Sequence, residues 1–291
     1  MVYDPWTGYL VTGPSVSAAN RFFLCSGHWD EQHPLSLGPT IDIILVRDLF
    51  RFCITTAQEL SVDSAFTETL RVALNRLPPL QIGQKDQLEW LEDYEAQPQH
   101  RHLSHTLALC RSNRISAQLN PVLAAATRTN LTNRQSRADM EDVEFTTALL
   151  GFNFARLNDG QSALWQLRHL ISDLSFDNLL TYSKSGLTGA NKNIFVFDGN
   201  MGGTALITEM LMRRSSISEI ELLPALPTAW YDGSVQSLRA RGNVTVSLEW
   251  KEGKLVYVNL SALSPVGVVV HYGIHGREIN FATNTTVRLD G

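Results

Sequence analysis

A mainly α-helical fold with a small antiparallel β domain at its C-terminal end is what this sequence predicts. Three observations carry that expectation. Apolar residues recur at three- and four-residue spacings from Thr40 to about Arg214. The helical stretches are joined by short links marked by Pro78-Pro79 and Asn158-Asp159-Gly160, which suits antiparallel helix pairs in an α/α layered arrangement. Near Ile217 the apolar period falls to two. The expected domains are therefore residues 1–216 and 217–291.

Residues 1 to about 40 read as irregular, because Gly8, Gly13, Pro14, Gly27, Pro34, Gly38 and Pro39 break any period. A loop of that length tends to be functional or to cover something. Trp6, His28, Trp29 and His33 are candidates to line a pocket there, or simply to pin the loop to a core. A first helix starts at Thr40, with Ile44, Leu45, Leu49, Phe52 and Cys53 on one face. Ser61 and Asp63 read as caps for a second helix carrying Phe66, Leu70, Val72 and Leu74, which Pro78 ends. Short helices follow over Gln87 to about Glu95, from His100 to Cys110 and from Pro121 to about Arg128, with proline at a permitted first-turn position. Glu141–Leu157 is long and mostly apolar; Gln161–Leu174 and Thr204–Arg214 complete the helical part.

In the β region Val244-Thr245-Val246-Ser247-Leu248-Glu249-Trp250 alternates strictly. Glu252-Gly253 forms a hairpin turn, and Leu255–Leu260 returns. Val268–Tyr272 and Thr285–Leu289 read as further strands.

Composition bounds the function. The 291 residues are 44% hydrophobic and 18% charged, so a sizeable core is available. A net charge of −5 argues against nucleic acid as the main partner. No stretch approaches the roughly 20 apolar residues of a membrane span. The start, Met1-Val2-Tyr3-Asp4-Pro5-Trp6, has neither the basic nor the apolar part of a signal peptide, which points to the cytoplasm. Asn-x-Ser/Thr sequons at Asn130, Asn243, Asn259 and Asn284 point the other way, towards secretion. Cys25, Cys53 and Cys110 are odd in number and far apart, as expected of buried thiols.

Three stretches are candidates for chemistry. In Phe195-Val196-Phe197-Asp198-Gly199-Asn200-Met201-Gly202-Gly203, an acid stands before a glycine-rich turn and an apolar helix. Asp198 is a candidate acid or base; the alternative is an Asx-turn or N-cap residue. In Glu89-Trp90-Leu91-Glu92-Asp93-Tyr94-Glu95, helical spacing would put Glu89, Glu92 and Asp93 on one face, where a carboxyl kept protonated beside Trp90 would suit a general acid. A solvated acidic face is the alternative. His100-Arg101-His102-Leu103-Ser104-His105 reads as a polar turn that neutralises nearby acids and binds substrate hydroxyls; a metal site is the alternative its spacing suggests, but no Cys or acid completes a local ligand set. No phosphate-cradling or dinucleotide-binding motif is present, and no cofactor is expected.

Taken together, these and other segments resemble the C-terminal half of glycoside hydrolase family 95, the inverting α-L-fucosidase-type enzymes. The matching stretches run almost end to end: Leu10–Ser15, Gly38–Asp42, Arg47–Phe50, Arg76–Gly83, Glu89–Tyr94, His100–His105, Asp198–Thr204 and Leu222–Pro227. The resemblance implies a partial (α/α)6 barrel, or toroid, followed by the β domain. It implies Glu89 as general acid and Asp198 as partner of the water-activating machinery, which in the family includes two asparagines on an earlier helix. Trp90, His100, Arg101, His102, His105 and Asn200 fall at substrate-binding positions, with Trp90 and Tyr94 suited to stack on a sugar. A His-Thr-Gly-Trp-Ser segment of the family should fall near Asp139–Thr147 and is absent. Either Glu144 stands in for its histidine or the sugar preference differs, with α-L-galactosides as one option. The expectation is a truncated chain whose partner is an oligosaccharide or glycoconjugate, weakly active or inactive alone, with helix faces left exposed for self-association. The alternative is a non-catalytic carbohydrate-binding or subunit-association remnant.

Overall fold

In the computed structural model, which describes residues 1–18, 20–24, 31–97, 99–110, 115–187, 189–214 and 218–291, helices precede a C-terminal β domain. Cys25, His28, Trp29 and Ile217 lie outside the described residues. The chain divides into two compact units, Met1–Glu141 and Asp142–Gly291.

In the first unit, β1 (Val2–Tyr3) pairs with β2 (Leu10–Val11), and β3 (Phe22–Phe23) with β4 (Gln32–His33). Helix α1 (Thr40–Leu60) buries Ile43, Ile44 and Ile54. Its apolar stripe is wider than its buried one, so Leu45, Leu49 and Phe52 stay 49%, 56% and 68% exposed. Ser61 ends α1 in the left-handed conformation instead of starting the next helix, and Asp63 precedes α2 (Ser64–Asn75) without a side-chain cap bond. Val11, Ile43 and Leu77 form a core beneath the two helices. Trp6 is 85% exposed, so it does not pin the loop to a core.

The expected helix over Gln87–Glu95 does not form. Its backbone groups are committed elsewhere: Leu88 N–H donates to the Gln81 carbonyl (3.0 Å), while Thr40 donates through its N–H to the Glu89 carbonyl (2.9 Å) and through Oγ1 to that of Leu88 (2.9 Å). Such long-range bonds leave none for a helical ladder. The segment instead runs into β5 (Glu95–Ala96), which adds to β3. A 3-10 turn (Ser104–Thr106) leads into the short α3 (Leu107–Cys110), and α4 (Pro121–Gln135) closes the unit.

The second unit packs α5 (Glu144–Arg156) against α6 (Gly160–Asp173), with β6 (Tyr182–Ser183) and β7 (Ile194–Phe195) leading into α7 (Phe197–Leu211). Asp159 caps α6, accepting from Ser162 N–H at 3.0 Å. The glycines after Asp198 form no turn: they lie inside α7. Their role is close approach. A Cβ on Gly202 would lie 2.6 Å from Ala148 Cβ of α5, and one on Gly203 2.9 Å from Leu170 Cδ2 of α6.

From α7 the chain enters β8 (Met212–Arg213), β9 (Glu219–Leu222), β10 (Gly233–Ala240), β11 (Val244–Lys251), β12 (Lys254–Ala262), β13 (Val266–Tyr272), β14 (His275–Phe281) and β15 (Thr285–Asp290). They make two four-stranded sheets, β10-β11-β12-β15 and β14-β13-β9-β8. The domain is mixed rather than purely antiparallel, because β9 runs parallel to β13. Val244, Val246, Leu248 and Trp250 all face the core, as strict alternation requires. Glu252 and Gly253 take φ of 53° and 71°, the turn that matches strand twist. Arg213, 4% exposed, links helices to sheet: it donates to the Arg156 carbonyl (2.9 Å), to Asn158 Oδ1 (2.7 Å) and from Nε to Glu221 Oε2 (3.1 Å).

Gly202→Val is expected to lower stability by about 2 kcal/mol through overpacking. Adding Ala148→Gly should restore part of that loss, read by urea unfolding. A Gly202→Val chain as stable as its parent would refute the close α5–α7 fit.

Candidate active site

Glu89 is 5% exposed, yet its carboxylate is well supplied with donors. Ser17 Oγ donates to Oε1 at 2.7 Å, and Asn20 Nδ2 sits 3.0 Å from both oxygens. Asn20 Oδ1 accepts from Arg21 N–H (2.9 Å), so the amino end of its amide faces the acid. His105 Nδ1 lies 3.4 Å from Oε2, longer than a good hydrogen bond. Burial raises the Glu89 pKa. His105, Ser17 and Asn20 outweigh it, and the carboxyl ends below its usual value. The expectation of a carboxyl kept protonated by Trp90 is thus corrected: the surroundings favour the ionised form.

Trp90 is 1% exposed and packs on Phe22, with ring centroids 5.1 Å apart, while Tyr94 stacks on Phe22 at 4.3 Å. Trp90 and Tyr94 both border the cavity that Glu89 lines. Glu92 is exposed, and Asp93 accepts from Gln84 N–H (2.9 Å); the three acids share no helix face.

Glu89 and His105 line a cavity of about 730 Å³ together with Asp86, Asn130 and Arg134. Arg134 is 7% exposed, and its Nη1 has no hydrogen-bond partner among the described residues. Burial lowers its pKa while Glu89 opposes that shift. His100, Arg101 and His102 gather around a different acid. Arg101 donates to Glu141 Oε2 from its backbone N (3.1 Å) and from Nη1 (2.9 Å), His100 Nδ1 lies 3.4 Å from the same oxygen, and the His100 and His102 rings stack at 4.9 Å. Burial pulls His100 down to about 4 and also lowers His102, so both rings are neutral at physiological pH. Among the described residues no group of three or more His, Cys, Asp or Glu is placed to hold a metal, and no helix is long and apolar enough to cross a membrane.

In the second unit Asp198 sits in the first turn of α7, exposed. It is not the cap; Val196 holds that position. Asn200 Oδ1 accepts from Thr181 N–H and Oγ1 (both 3.0 Å) and Nδ2 donates to the Leu179 carbonyl (2.8 Å), so its amide braces the approach to α7. Glu144 is 1% exposed and accepts from Ser183 Oγ at 2.6 Å; Gly199 passes close over it. Beside it, Asp142 binds His169 Nε2 (2.9 Å) and Lys184, and His169 Nδ1 meets Asp173 (3.1 Å).

The structure thus joins Glu89 to His105, leaves His100, Arg101 and His102 on Glu141, and sets Glu144 and Asn200 by the first turn of α7. Ser17, Asn20, Asn130 and Arg134 were not singled out as site residues. The signals were the unusually long first loop, which carries Ser17 and Asn20, and the sequon at Asn130, which served another argument.

A buried acid with matched donors on a cavity wall is the equipment of a glycoside hydrolase, and comparison with known proteins makes that class definite. Residues 1–211 match the family described as "Glycosyl hydrolase family 95 catalytic domain", and residues 214–286 match "Glycoside hydrolase family 95, C-terminal domain". The chain belongs to glycoside hydrolase family 95. "Alpha-L-fucosidase 2" of Arabidopsis thaliana is 31% identical over 278 residues, covering 92% of this chain and 32% of the relative. "Probable alpha-fucosidase A" of Aspergillus oryzae is 28% identical over 275 residues, covering 86% and 35%. The chain spans about a third of the length of these curated relatives.

The Asp142–His169 pair gives a pH signature. Burial raises Asp142, but His169 and Lys184 hold it below the usual carboxylate range; the hydrogen bond from Asp142 raises His169. A raised histidine stabilises fully below its unfolded value of about 6.5 and loses that contribution as pH climbs through its folded value; a lowered aspartate stabilises above about 3.9 and loses as pH falls. His169→Gln should therefore cost most stability at about pH 5–6 and progressively less in alkali. Unfolding at stepped pH checks this, and a pH-independent cost would count against the pair.

Proposed function

We propose that this chain carries the acid half of an inverting hydrolysis of terminal α-L-fucosides or related α-L-galactosides. The single observation that carries the reading is Glu89, a buried carboxyl on a cavity wall with every partner aimed at it. In this reading Glu89 gives its proton to the leaving glycosidic oxygen as the C1–O bond breaks. Water bonds to C1 from the opposite face, and its proton passes to the base side, where Asp198 acts through asparagines on an earlier helix. Inversion needs acid and base about 6.5–9.5 Å apart across the sugar.

Glu89 must first take up a proton, and its partners constrain how. Asn20 offers only N–H at that face. The Ser17 hydroxyl can reverse from donor to acceptor, so a proton on Oε1 turns towards Ser17. Arg101, His100 and His102 are proposed to meet substrate hydroxyls, and Glu144 and Asn200 to shape the Asp198 side. The helices belong, in this reading, to an α/α toroid, with residues 1–216 as the catalytic domain and 217–291 as the C-terminal domain. Secretion is the localisation that goes with it.

Alone, the chain is expected to hydrolyse an aryl α-L-fucoside weakly or not at all. Turnover of about 1 s⁻¹ or more would overturn that part. Spliced in place of the matching segment of the Arabidopsis relative, residues 1–211 should support inverting hydrolysis, and Glu89→Gln should reduce it about 10²–10⁴-fold. Indifference to Glu89→Gln would remove Glu89 from the role, and a product of retained configuration would remove inversion.

A second reading, association through exposed helix faces, is favoured by Leu45, Leu49 and Phe52 standing exposed along α1. Light scattering should then show a species larger than one chain, shifted towards the monomer by Leu49→Glu. A clean monomer that binds no apolar dye would end this reading.

A further inference from the structure

Asn130 and His105 form a contact whose chemistry is fixed by what surrounds it. Asn130 Nδ2 lies 2.7 Å from His105 Nε2. An amide can face either way, but here Asn130 is clamped by the backbone of Gln87. Its Oδ1 accepts from Gln87 N–H and its Nδ2 donates to the Gln87 carbonyl, both at 3.1 Å. Turning the amide over would oppose two donors and two acceptors. Gln87 is itself fixed, donating through Nε2 to the His105 carbonyl (2.8 Å) and accepting at Oε1 from Thr127 Oγ1 (2.7 Å). The nitrogen facing His105 is thus a donor by construction, and Nε2 must present its lone pair.

We infer that Asn130 is a positioning residue that sets the tautomer of His105, placing the single ring proton on Nδ1, which faces Glu89. One consequence is direct. The lone pair of a neutral imidazole is its only seat for a second proton, and Asn130 occupies it. His105 can donate towards Glu89 Oε2, 3.4 Å away, but cannot accept the proton that Glu89 carries. The acid keeps its proton for the substrate instead of sharing it with a basic neighbour. Asp86 and Arg134 are the charged groups that act on this pair from the cavity wall, and His102 also interacts with Glu89. None of them changes which ring nitrogen Asn130 faces.

The tautomer assignment does not depend on what the protein hydrolyses; only its catalytic consequence rests on the proposed role of Glu89. The test is long-range proton–nitrogen correlation NMR of the full chain labelled with nitrogen-15 histidine, at neutral pH. The expected result is a protonated Nδ1 and a bare Nε2 for His105, assigned by the signal lost in His105→Gln. Asn130→Asp puts a carboxylate against Nε2 and should draw a proton onto that nitrogen, changing its signal from the bare to the protonated type. A parent His105 protonated at Nε2 overturns the inference without any variant having to fold. A folded Asn130→Asp chain with unchanged His105 signals overturns it as well. With the tautomer as stated, fucoside hydrolysis by the spliced Arabidopsis relative that Asn130→Asp leaves unchanged would count against the catalytic reading alone.

Discussion

Burying one carboxylate is the constraint on which the first unit depends. An ionised carboxyl out of water is costly unless donors replace its hydration. Glu89 recruits them from distant parts of the chain: Ser17 and Asn20 from the first loop and His105 from the turn before α3, with Thr40 of α1 holding its backbone. Each long-range bond fixes a segment that has little periodic structure of its own. The loop over residues 1–40 is ordered in this part by what it delivers to the acid, not by local propensity. The segment around Glu89 forgoes a helix for the same reason.

The second unit is governed by steric closeness. The run of glycines in α7 brings that helix against α5 and α6 at distances no side chain would tolerate, and α5 carries Glu144 at its first turn. Gly160 plays a similar part at the start of α6, where a Cβ would lie 2.3 Å from the Ala225 carbonyl oxygen. Together with Arg213, these contacts make the helix layer and the β domain one unit.

Much of the fold was legible because it is periodic. The 3.6 and 2.0 repeats marked α1, α2, α5, α6 and the hairpin of β11 and β12, and the turn residues marked their joints. Two stretches misled. The acids at Glu89, Glu92 and Asp93 have helical spacing, but long-range partners took the backbone groups a helix needs. The glycines after Asp198 read as a turn, because a sequence does not distinguish glycine used for backbone freedom from glycine used for close approach. Within the site, Glu89 and His105 stood out through their motifs. Ser17, Asn20 and Asn130 did not, because an isolated polar residue far along the chain carries no pattern, and its meaning lies wholly in which acid or imidazole it meets.

Asn130 is also the first residue of a sequon, Asn130-Leu131-Thr132. Its amide nitrogen is the atom a glycan would occupy, and in the folded unit that nitrogen donates to Gln87 and faces His105. Sugar transfer acts on chains still emerging and unfolded, so an exported chain would run a race between two uses of one atom. If modification came first, α4 could not dock on Gln87, and the site would be lost before it formed. If folding came first, the atom would be out of reach for good. Were the chain exported, the order of events on the way, and not only the route taken, would decide whether Asn130 reaches His105.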